Sequence, residues 1–146
     1  MNIAFYIGAL SIIAGLVFYA GCLVFKLRTQ QKLRKQKTQQ RVNKISQSIQ
    51  TIAKALEQQQ CNLSEGCIRL FHLLEGLPIK NKPDFSQQFI GLYSLYEKVK
   101  DFPTHDVRKS QSKIETKRQD LQREELEAQM ESQILNDLSV LKKFTF

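Results

Sequence analysis

The sequence has no tryptophan, three prolines, three cysteines and two histidines among 146 residues. The prolines fall at 78, 83 and 103, which is the punctuation of a helical chain. The cysteines make no disulfide framework. Cys22 lies inside an apolar run, and Cys61 and Cys67 point about 240° apart on a helix and cannot meet. No glycine-rich phosphate loop and no nucleophile elbow occurs. His72 with Cys67 and Cys61 matches no zinc spacing, and His105 beside Asp106 reads as a first-turn residue after a helix cap. The expectation is a protein without catalytic, metal or cofactor residues, and not an enzyme.

Charge is also missing where it matters most. Ile3 to Phe25 holds 23 residues without a charged side chain, twelve of them Ile, Leu, Val or Phe. A helix of that length rises about 34 Å, against a hydrocarbon core of about 30 Å. Its apolar side chains favour the bilayer by on the order of 5 kcal/mol. No acidic residue appears before Glu57, whereas residues 26–44 carry eight Lys and Arg. Residues 45–146 carry fourteen basic and fourteen acidic side chains, so the net charge of +8 comes from that basic segment. Positive charge beside a span stays cytoplasmic. The expected arrangement is a bacterial inner-membrane anchor over 1–25 with its N-terminus outside, then a basic stalk over 26–41. Lys26, Arg28, Lys32, Arg34 and Lys35 are the candidate membrane-surface residues. Gly8, Ser11 and Gly15 share one face of the span and offer a close-packing surface for a homodimer. Tyr19-Ala20-Gly21-Cys22 resembles a lipobox, but no basic segment precedes the apolar run and that run continues through Phe25. A periplasmic lipoprotein is therefore an alternative rather than the first reading.

Beyond the stalk the pattern is all-α, a cytoplasmic helical bundle over 42–146 with a long charged C-terminal helix. Val42, Ile45, Ile49, Ile52 and Leu56 form an apolar stripe, and Gln58 to Gln60 close that helix. Asn62 with Glu65 forms a capping box for a second helix reaching about Leu77, apolar over most of its circumference, with Gly66 marking a close contact. Asp84 caps a third helix bearing Phe85, Phe89, Leu92, Tyr96 and Val99 and ending before Pro103. Thr104 is the next cap, and no breaker follows His105. Val107, Ile114, Leu121, Ala128 and Leu135 recur every seven residues, while Met130, Ile134, Leu135, Leu138, Leu141 and Phe144 make the last third the packing part. Charged and amide side chains dominate 108–125, so this stretch is expected to be exposed, laced by Glu115–Arg118 and Asp120–Arg123 pairs. Val107, Ile114, Arg118, Leu121 and Arg123 are the candidate partner face.

Nucleic acid is a poor fit for the basic segment, which has no aromatic residue to stack on a base. Cys61-Asn62-Leu63-Ser64-Glu65-Gly66-Cys67-Ile68-Arg69-Leu70, with Leu95 to Lys98 and Phe102 to Lys109, resembles an uncharacterised gammaproteobacterial family, a domain of unknown function. The resemblance implies one N-terminal inner-membrane span followed by helices over nearly the full length, and no activity. The leading expectation is a membrane-anchored adaptor tethering a protein partner. The alternative of another class is a small enzyme or ligand-binding domain whose site no motif marks.

Overall fold

The computed structural model describes residues 2–103 and 110–146, and all their regular structure is helical. The elements are α1 (Asn2–Glu57), α2 (Leu63–Glu75), α3 (Phe85–Gln88), α4 (Ile90–Val99) and α5 (Lys113–Leu141). The chain divides into two compact units, Met1–Gln40 and Arg41–Phe146.

The first unit is the N-terminal part of α1. It contains a helical stretch long and apolar enough to cross a membrane, with none of that apolar window buried inside the protein. Gly8 and Gly15 have open space around them, and the Ser11 hydroxyl donates to the Gly8 carbonyl at 2.8 Å. Lys26, Arg28, Lys32, Arg34 and Lys35 are all exposed.

The second unit is built around one core. Val42, Ile49 and Leu56 of α1 are buried in it, with Ile45 and Ile52 half-buried at its edge. The helix ends at the glutamine run, where Gln59 takes the left-handed conformation (φ 54°). Asn62 caps α2, its side chain accepting from the Ser64 amide at 3.0 Å. Glu65 does not complete a capping box; it pairs instead with Arg69 one turn on, at 2.6 Å. α2 supplies Cys67, Leu70 and Leu74, all fully buried, and so forms the centre of the unit.

The expected third helix is two helices. Asp84 caps α3, accepting from the Ser86 amide at 3.1 Å, but α3 stops after Gln88. Phe89 leaves helical geometry (φ −121°, ψ 63°) and α4 starts on the next residue. The break lets Phe85 and Phe89 both point into the core while Leu92, Leu95 and Val99 continue the buried side. Tyr96, expected on that stripe, lies half-buried and stacks on Phe71 with centroids 3.5 Å apart.

The C-terminal stretch is likewise interrupted. Ser110 is helical, Gln111 and Ser112 are not, and α5 begins at Lys113 with the Ser112 hydroxyl accepting from the Glu115 amide at 3.3 Å. Thr104, His105 and Val107 lie outside the described residues. Met130, Ile134, Leu138, Leu141 and Phe144 are buried as the pattern implies, whereas Leu135 faces out.

Candidate functional site

A helix can serve as a docking rail only if one side is fixed to its own domain and the other is free. The inward side of α5 is fixed at named points. Arg123 lies over the Phe102 ring, 5.6 Å from its centroid, and pairs with Asp120 at 3.7 Å. Glu127 accepts from the Ser64 hydroxyl and from the Ser64 amide, the latter at 3.2 Å. Asp137 accepts from the Leu92 amide at 3.0 Å. Burial holds the Asp137 carboxyl above the usual carboxylate range, against the hydrogen bonds from Leu92 and Gly91 that lower it. α5 thus places one carboxylate on the N-terminus of α2 and another on that of α4. The unpaired amides of a helix's first turn favour negative charge at both positions, but at Asp137 burial outweighs them.

The opposite side carries the apolar residues spaced by seven. Ile114 is 84% exposed and Leu121 58% exposed; Ala128 and Leu135 are exposed too, on the flank that lines a groove against the end of α1. Arg118 is exposed beside them, and Glu115 and Arg118 do not pair. Arg123, expected on this face, points back to Phe102 and belongs to the fold. Lys117, Glu124 and Glu125 are exposed, Glu124 at the edge of a groove against the end of α1, and sequence reasoning did not single them out. Their signal was available: each lies three or four residues from Leu121.

Cys67 is buried, and its thiol is pushed up to about 12, first by burial and then by the charges of Glu127 and Asp137. Such a thiol is inert. His72 is exposed and edge-on to Phe71, so it does not join Cys67. Glu75 accepts from the Tyr93 hydroxyl at 2.7 Å and pairs with Lys82; these hydrogen bonds, that of Lys82 first, hold its carboxyl below the usual range. An open groove of about 430 Å³ lies between the end of α1 and α5, lined by Glu57, Cys61, Asn62, Glu124, Glu127 and Glu131 among others. Among the described residues no cluster suited to a metal ion forms.

Residues 13–141 match the model of a family described as "Protein of unknown function (DUF2489)". A protein of Haemophilus influenzae (strain ATCC 51907 / DSM 11121 / KW20 / Rd), named there only as an uncharacterized protein, is 40% identical over 137 residues, which cover 94% of this chain and 90% of the relative. No solved structure matches the chain.

Proposed function

The chain belongs to that family of unknown function, and from this premise we propose that it is a membrane-anchored helical adaptor, without catalysis of its own, which holds a protein partner at the cytoplasmic face of the bacterial inner membrane. The observation that carries the reading is a division of labour along the sequence. The apolar window of α1 buries nothing in the protein, so its favourable environment is lipid. The basic residues that follow are solvent-exposed and available to anionic headgroups. The second unit has a closed core and one long helix whose outer face carries exposed Ile114 and Leu121. Large apolar side chains exposed along a fixed helix mark a surface that gains by being covered. The basic cluster sets the orientation, with the second unit on the cytoplasmic side.

The test is a fusion after Phe146 to a phosphatase that works only in the periplasm. The fusion should remain in the membrane after an alkaline carbonate wash and be inactive. An active fusion overturns the cytoplasmic placement, and loss of membrane retention on Cys22→Ser replaces the anchor with a lipid-modified cysteine. Full chain purified from detergent-solubilised membranes should bring a stoichiometric protein partner. Stoichiometric recovery of a small-molecule ligand instead would favour a binding domain.

A further inference from the structure

The outward face of α5 has a charge pattern that inverts about its middle. Leu121 is the centre. Lys117 and Arg118 lie four and three residues before it, and Glu124 and Glu125 lie three and four residues after it. Ile114 lies seven before and Ala128 seven after. All of these side chains are exposed, and none of the four charged ones forms an ion pair among the described residues. The charged residues of the inward side do not share the pattern, because Asp120 and Arg123 are paired with each other and Glu127 is held by Ser64.

We propose that the occupant of this face is the same face of a second copy, running antiparallel, with the two-fold axis at Leu121. The proposal rests on the docking reading of α5 given above and names the partner. In this register Leu121 meets Leu121 of the second copy, and Ile114 meets Ala128. Lys117 lies on the same flank of the seam as Glu124 of the second copy and Arg118 on the same flank as its Glu125, and by symmetry each pair occurs twice. A parallel pair would place Lys117 and Arg118 against their own counterparts, and Glu124 and Glu125 against theirs, at the cost of like-charge contacts. Flanking charges of this kind set partner and orientation in helix pairs more than they set raw affinity. Opposed helix dipoles add to the preference. A foreign helix would need this pattern by coincidence, whereas a second copy supplies it automatically.

The experiment uses the full chain in detergent micelles. In a chain with Cys22→Ser and Cys61→Ser, Leu121→Cys places a thiol at the axis, and mild oxidation should give a covalent dimer. Adding Lys117→Glu with Arg118→Glu should lower the yield about tenfold. Adding Glu124→Lys with Glu125→Lys to that same chain reverses all four charges and should restore it. Because Leu121→Cys itself trims the seam, sedimentation of chains that keep Leu121 gives an independent reading, with the same loss and rescue expected. Thermal melting of each variant should stay close to the parent's, since none of the four side chains forms an ion pair or hydrogen bond among the described residues. Charge reversal that leaves both cross-linking and sedimentation unchanged overturns the proposal, as does failure of the quadruple variant to restore them. If reversal leaves self-association intact but removes another protein from the purified chain, the self-pairing is wrong and the docking reading survives. If it changes neither, both readings of this face fail.

Discussion

At the residue scale, two glycines carry more of the packing than their size suggests. A Cβ on Gly91 would lie 2.9 Å from the Gln133 carbonyl carbon and the Ile134 nitrogen of α5, and 3.0 Å from the Asp137 carboxylate. Those are mainly backbone atoms of a packed helix and cannot swing aside. On Gly66 the same atom would strike Leu56, which is buried and has little room to move. Gly91→Ala should therefore destabilise the second unit by about 1 to 3 kcal/mol, despite the helix propensity gained. A urea titration of the full chain in detergent checks this. An unchanged midpoint would mean that α4 and α5 can separate freely at that point. Gly66 was readable in the sequence because it interrupts an apolar arc. Gly91 was not, because its neighbours are distant in the chain.

At the element scale, two helix starts, those of α2 and α4, receive a carboxylate from α5. α4 has no cap of its own: Phe89 offers no side-chain acceptor, and Asp137 of α5 takes its place. Losing a helix cap costs about 0.5 to 2 kcal/mol. Asp137→Ala should cost about that much, while Asp137→Asn, whose amide oxygen still accepts, should cost less than the alanine. The sign of the pH dependence follows from burial. A carboxyl held above its ordinary range binds its proton more readily folded than unfolded, so this group's contribution to stability falls as pH rises through the window between the two values. Asp137→Asn should remove that part of the pH dependence. Unfolding midpoints for parent and variant across the acidic range check it, and parallel curves would show that Asp137 titrates as an ordinary exposed carboxylate.

At the scale of the whole molecule, the two units differ in what they bury. The first is long and apolar enough to cross a membrane, and its apolar window buries nothing in the protein. The second needs a closed core, and its chain ends close it: the Gln50 amide donates to the Phe144 carbonyl at 2.7 Å, Lys142 pairs with Glu57 at 2.5 Å, and Phe144 packs against Phe85 with centroids 6.0 Å apart. Phe144→Ala should lower the stability of the second unit by about 3 kcal/mol and leave membrane retention unchanged. Melting followed by circular dichroism, together with fractionation, tests both halves. Loss of membrane retention would mean that the anchor depends on the domain.

The sequence by itself determined what depends on neighbours along the chain. The apolar run over Ile3 to Phe25, the basic stretch after it, the all-helical composition, the caps at Asn62 and Asp84 and the apolar arc centred on Leu70 are all local patterns, legible because helix periodicity and solvent transfer act residue by residue. Only the tertiary structure decided what depends on distant neighbours. It broke the third helix at Phe89, moved Tyr96 off the stripe and onto Phe71, turned Arg123 inward to Phe102 and left Leu135 outside. It also gave Glu127 and Asp137 to the amides of other helices. A charged residue on a polar helix face looks the same in sequence whether it meets water or the unpaired amides of another element, and packing alone distinguishes the two.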